Sequence, residues 1–85
     1  MRTIQIAPSK EDVHIRGNRI EGKMKDGTTY VYKAPEGDFF ARRDQNAVKA
    51  AFCQAIALSS KSYQAENLLN DYLKVKGQFF VKNPK

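Results

Sequence analysis

The run Val13-His14-Ile15-Arg16-Gly17-Asn18-Arg19-Ile20-Glu21-Gly22-Lys23-Met24-Lys25-Asp26-Gly27-Thr28-Thr29-Tyr30-Val31-Tyr32-Lys33-Ala34 decides how this chain folds. Apolar and polar residues alternate through most of it, the period of a half-buried strand. Gly17-Asn18 and Asp26-Gly27 interrupt the alternation where hairpin turns belong. Asp-Gly suits the positive φ angles of a two-residue type I′ loop. With two-residue loops at both places, Arg16 faces Arg19 and Lys25 faces Thr28. Counting outward, Ile15 pairs with Ile20, Met24 with Thr29, Lys23 with Tyr30 and Glu21 with Tyr32, while Gly22 lies between Val13 and Val31. That register predicts a core face of Val13, Ile15, Ile20, Met24 and Val31. The other face carries His14, Arg16, Arg19, Glu21, Lys23, Lys25, Thr28, Tyr30 and Tyr32.

On the N-terminal side, Thr3-Ile4-Gln5-Ile6 alternates and stops at Pro8, as a short edge strand does. On the C-terminal side, Pro35-Glu36-Gly37 breaks the pattern, and Asp38-Phe39-Phe40-Ala41-Arg42 returns as a fourth strand that brings Phe39 opposite Tyr32. Past Asp44 the period changes. Asp44 is the expected N-cap of a helix whose Val48, Ala51, Phe52, Ala55 and Ile56 share one face. Ser59-Ser60-Lys61-Ser62 ends it and offers a cap to a second helix with the stripe Ala65, Leu68, Leu69, Tyr72 and Leu73. Gly77 is expected at its C′ position. Gln78-Phe79-Phe80-Val81-Lys82 reads as a short final strand. The expectation is one small α+β domain over residues 1–85, an antiparallel meander of three to five strands followed by two helices and a short C-terminal strand.

Composition narrows the function. The 85 residues carry 15 Lys and Arg against 9 Asp and Glu, a net charge of +6, and 41% are hydrophobic, enough apolar material for a core. No apolar run approaches the roughly 18–20 residues of a membrane span, and the start lacks the apolar block of a signal peptide, so the chain reads as cytoplasmic. One cysteine excludes an internal disulfide and a cysteine-rich metal site, and one histidine excludes a two-histidine site. No metal or cofactor is implied.

Catalytic patterns are scarce. The serines sit near Pro8 and between the helices without a nucleophile elbow, and the glycines do not form a phosphate loop. His14 reads as a solvent-facing strand residue beside Glu21. Cys53 reads as a small buried hydrophobe. The chain is therefore expected not to be an enzyme; a basic ribonuclease using His14 with Arg, Lys and Tyr is the nearest enzymatic alternative.

The leading expectation is a nucleic-acid-binding protein. Arg16, Arg19, Lys23 and Lys25 on the polar face, with Arg42 and Arg43 at the helix start, would attract phosphates. Tyr30 and Tyr32 would offer rings to bases, so that DNA or RNA is the expected partner. Two ordinary explanations compete. Tyr, Thr, Lys and Arg furnish many solvated sheet faces, and a helix could cover Tyr30, Tyr32 and Phe39 and make them core. The charge also spreads evenly along the chain, with +3 in residues 1–43 and +3 in residues 44–85. The alternative is a protein-interaction module or inhibitor of phage or mobile-element type, acting on an acidic or nucleic-acid-handling partner, or forming a homodimer through Leu68, Leu69, Tyr72 and Leu73.

From Arg16 to Leu58 the predicted order is strand, turn, strand, turn, strand, and a helix opened by Arg42-Arg43-Asp44. This order resembles the arm-binding domains at the N-terminus of tyrosine-type phage integrases. The likeness covers about half the chain and rests on element order and basic hairpins. It implies a sheet face that enters the DNA major groove. The extra N-terminal strand, the second helix and the Phe-Phe-Val tail depart from that family.

Overall fold

A computed structural model describes residues 8–59 and 61–82. The expected strand Thr3–Ile6 lies outside them. The described residues form an α+β fold whose strands β1 (Val13–Arg16), β2 (Arg19–Lys23), β3 (Thr29–Lys33) and β4 (Gln78–Lys82) make one antiparallel sheet in the order β1-β2-β3-β4. Helices α1 (Gln45–Ala57) and α2 (Ser62–Leu73) sit between β3 and β4 in sequence. Both helices pack against the same face of the sheet, where Val13, Ile20, Tyr32 and Phe79 meet Val48, Phe52, Ala55, Ile56, Ala65, Leu69 and Leu73 in one cluster. The meander, the two helices and the final strand are those expected from the sequence.

The first hairpin has the expected register, with Arg16 opposite Arg19 and Ile15 opposite Ile20. The second differs by one residue. Ile20 pairs with Tyr32, Glu21 with Val31, Gly22 with Tyr30 and Lys23 with Thr29. The cause lies at the turn. Gly27 N–H donates to Met24 O at 3.0 Å and Met24 N–H to Thr28 O at 2.7 Å, so the loop is the three residues Lys25-Asp26-Gly27. Gly27 adopts φ 95°, the left-handed position that closes a type I turn with a bulge and that an L side chain strains to reach. Asp26 Oδ1 accepts Thr28 N–H at 2.9 Å and fixes this form; the same Thr28 bonds hold the exposed Asp26 carboxyl below its ordinary pKa.

A one-residue slip exchanges the faces of the whole strand. Tyr30 and Tyr32 therefore turn towards the helices, and Val31 turns away from them. Tyr32 is completely buried. Its hydroxyl donates to Asn70 Oδ1 at 2.7 Å, and the same oxygen accepts Gly77 N–H at 2.9 Å. Burial raises the Tyr32 pKa, which keeps the hydroxyl a donor. Tyr30 stacks on Phe79 with ring centroids 5.9 Å apart.

Residues 38–42 are not a fourth strand of the meander. Phe39–Arg42 forms a 3-10 turn, and β4 takes the place beside β3, with Phe79 opposite Tyr32. The 3-10 geometry lets two consecutive rings serve one core. Phe40 is buried and Phe39 meets it edge-on at 5.0 Å, whereas a strand would send them to opposite faces. Phe40 N–H donates to Gly17 O and ties this turn to the first hairpin.

Asp44 caps α1 as expected, its Oδ1 accepting the Asn46 and Ala47 N–H groups at 3.0 and 3.3 Å. Such a cap contributes about 1 kcal/mol. Ser59 bonds back to Ala55 O, and α2 starts after Lys61 without a side-chain cap. Its left-handed C-cap is Lys74 at φ 58°, not Gly77. Glu66 of α2 reaches the sheet, where Oε2 accepts Phe79 N–H at 2.9 Å.

Candidate nucleic-acid interface

Strand parity and the observed registers define the face that the helices leave open. Three rows cross it. The first is Arg16, Arg19, Lys33 and Gln78; the second is His14, Glu21, Val31 and Phe80; the third contains Lys23, Thr29 and Lys82. Neighbouring strands are about 4.8 Å apart, so the three cations of the first row lie within roughly 10 Å of backbone. Like charges directly opposite one another destabilise a sheet. The row places Arg19 between two such neighbours.

Among the paired strand residues, five cations thus stand on this face against one carboxylate, Glu21. Arg19 Nε is 2.6 Å from Glu21 Oε2, two residues along the same strand. The contact is electrostatic: Arg19 Nε is shielded from solvent and makes no directed hydrogen bond. The other four cations, Arg16, Lys23, Lys33 and Lys82, are exposed. Val31 forms the floor of the middle row and is fully buried although no helix covers it. Glu21 and Phe80 flank it directly across the strands, and Thr29 and Lys33 flank it along its own strand.

The structure brings together three of the residues expected at this site: Arg16, Arg19 and Lys23. Lys25 lies at the hairpin tip, bordering a hollow of about 420 Å³ that also involves Pro8, Asp12 and Asp26. Tyr30 and Tyr32, expected on the polar face as stacking rings, belong to the helix-side core because of the three-residue turn. Arg42 and Arg43 lie on or beside the 3-10 turn that inserts Phe40 into that core. Arg43 is 4.3 Å from the centre of the Phe39 ring and donates to Leu73 O at 3.2 Å, which links the turn to the end of α2. Neither arginine extends the cationic rows.

Sequence reasoning missed Lys33, Gln78, Phe80 and Lys82. Their signal was present in two forms. A three-residue reading of Lys25-Asp26-Gly27 puts Lys33 on the polar face, and Gln78-Phe79-Phe80-Val81-Lys82 alternates so that Gln78, Phe80 and Lys82 fall together. The evenness of charge along the chain also misled, because folding adds Lys82 from the second half to cations from the first. Among the described residues no group of three His, Cys, Asp or Glu side chains is placed to hold a metal ion. Burial pushes the Cys53 thiol up in pKa, against a smaller opposing effect of Lys10.

The chain matches no protein-family model, no curated protein and no solved structure. Among the described residues no helix is long and apolar enough to cross a membrane.

Proposed function

We propose that this chain binds nucleic acid, without transforming it, through the open sheet face. The observation that carries the reading is the row Arg16–Arg19–Lys33, three cations opposed across adjacent strands, with Lys23 and Lys82 in the row four residues further along the sheet. Cross-strand repulsion of this kind works against folding, and a polyanion laid across the row reverses its sign. Phosphates supply that charge at regular intervals and release counterions on binding. A cytoplasmic location belongs to the same proposal.

Fluorescence anisotropy with labelled DNA and RNA at about 50 and 200 mM salt tests it. The expected result is binding that weakens steeply with salt, and a slope that falls by about 1.4 on a single strand or 1.8 on duplex DNA when Arg16 and Lys33 are both replaced by Gln. No binding at the lower salt overturns the reading. The charge would then be complementary to an acidic protein surface, as in an inhibitor or accessory factor, and a pull-down with the intact chain would follow.

A further inference from the structure

The five phenylalanines of the chain divide four to one. Phe40 is packed by Phe39 and Tyr32, Phe52 and Phe79 approach each other, Phe79 also stacks with Tyr30, and Phe39 lies against both Phe40 and Arg43. Phe80 has no aromatic neighbour among the described residues and is 37% exposed. It occupies the middle row of the open face, directly across from Val31. Gln78 and Lys82 stand two residues away on its own strand, and Lys33 and Thr29 lie on the diagonals, roughly 7–8 Å away by sheet geometry. The one exposed phenylalanine thus has two lysines, a glutamine and a threonine as its nearest same-face neighbours on β3 and β4 besides Val31.

These neighbours suit one kind of occupant better than another. A duplex presents phosphates to a flat surface but keeps its base faces inside the stack, and exposing one costs a few kcal/mol of unstacking. A single strand offers phosphates and base faces together. A base laid on Phe80 buries an exposed ring, its backbone remains within reach of Lys33 and Lys82, and Gln78 can donate to and accept from a base edge. A four-stranded sheet has room for two or three bases in this manner.

We infer that the ligand of the open face is single-stranded nucleic acid, one of whose bases stacks on Phe80; the inference rests on the nucleic-acid reading above. Anisotropy with a labelled single-stranded oligothymidylate, and with a duplex of the same length, tests it on the full chain and on Phe80→Ala, Phe80→Leu and Phe80→Tyr. The expected result is tighter binding of the single strand. Phe80→Ala and Phe80→Leu should lower that affinity roughly ten- to a hundredfold, the usual range for loss of one stacked base, and leave duplex affinity unchanged. Phe80→Tyr keeps the ring and should keep the affinity. Phe80→Leu retains an apolar cover over Val31, and an unchanged circular dichroism melt shows that it folds. Equal, steeply salt-dependent binding of both probes, or a Phe80→Leu protein that binds the single strand as tightly as the parent, overturns the single-strand inference while leaving the nucleic-acid reading in place. Absence of binding to either probe removes both.

Discussion

Val31 and Tyr32 are neighbours on one strand, and both are completely buried, but they are buried by different means. Tyr32 faces the helices, where Phe40 and Phe79 pack around it and Asn70 Oδ1 accepts a hydrogen bond from its hydroxyl. Its cover is apolar, and its one polar atom has a partner. Val31 faces away from the helices and lies between Glu21 and Phe80 on the open face, with the charged row alongside. The helix side is organised to minimise free energy. The open side keeps like charges opposed and leaves a phenylalanine ring 37% exposed, and stability alone would select neither. That difference is the main physical reason for proposing ligand binding on the open side.

The comparison is sharpest between two phenylalanines. Phe52 is fully buried between α1 and the sheet, its ring lying over Gly22, where a Cβ would approach to 2.8 Å. Phe52→Ala should destabilise the chain by about 3–5 kcal/mol, a large part of the roughly 4–13 kcal/mol available to a domain of this length. Phe80→Ala uncovers only part of Val31 and should cost about 1 kcal/mol. Urea unfolding of the two variants measures both. A Phe80→Ala cost as large as that of Phe52→Ala would mean that Phe80 is core, and the division between the faces would collapse.

The Asn70 amide oxygen comes next. Asn70→Ala leaves the Tyr32 hydroxyl and the Gly77 N–H without their acceptor, at about 2–4 kcal/mol. Tyr32→Phe removes one donor and should cost about 1 kcal/mol. The two differ in pH dependence as well. The folded pKa of Tyr32 is raised by burial, so its contribution is complete below the unfolded value near 10 and is lost as pH rises through the higher folded value. Parent stability should therefore fall more steeply above about pH 10 than that of Tyr32→Phe. Parallel alkaline slopes would show that this hydroxyl is not buried.

On the open face the sign of the expected effect reverses. Replacing Arg16 and Lys33 by Thr relieves repulsion on Arg19 and supplies a better strand former. Stability should rise by about 0.5–1 kcal/mol at low ionic strength, and the gain should shrink as salt screens the row. Thermal melts across a salt series read this directly. A loss of stability would mean that the cations are held by favourable partners, and the row would no longer argue for an anionic ligand.

Much of this was legible in the residues, and the misreading of the polar face has one origin, whereas the 3-10 turn at Phe39–Arg42 and the Lys74 C-cap are separate departures. Gly17-Asn18 sets a hairpin with Arg16 opposite Arg19, Asp44 announces α1, and the alternation of residues 78–82 announces β4. Asp26-Gly27 is ambiguous. The dipeptide serves a two-residue type I′ loop, but Asp followed by a left-handed Gly also completes a three-residue loop. Local chemistry does not separate the two; Asn70, placed by α2 far along the sequence, rewards the register that brings Tyr32 inside. The sequence of the polar face was thus readable up to β2 and inverted after it, so Arg16, Arg19 and Lys23 were found while Lys33 was missed and the tyrosines were misplaced.

The smallest expected effect tests that turn. Deleting Lys25 leaves Asp26-Gly27 as a two-residue loop between Met24 and Thr28, which are already bonded partners across the hairpin, Met24 N–H donating to Thr28 O. Every pairing from Lys23–Thr29 inward is retained, so Tyr30 and Tyr32 stay on the helix side and Lys33 stays in the cationic row. The change exchanges one favoured loop for another, and stability should move by no more than about 1 kcal/mol, with nucleic-acid affinity reduced only by the loss of one peripheral charge. If Lys25 instead paired with Thr28, the deletion would shift β3 by one residue against β2 and turn the inner face of the strand outward, which no domain of this size survives intact. Near-parental melting of the deletion variant supports the observed register, and cooperative unfolding lost altogether would refute it.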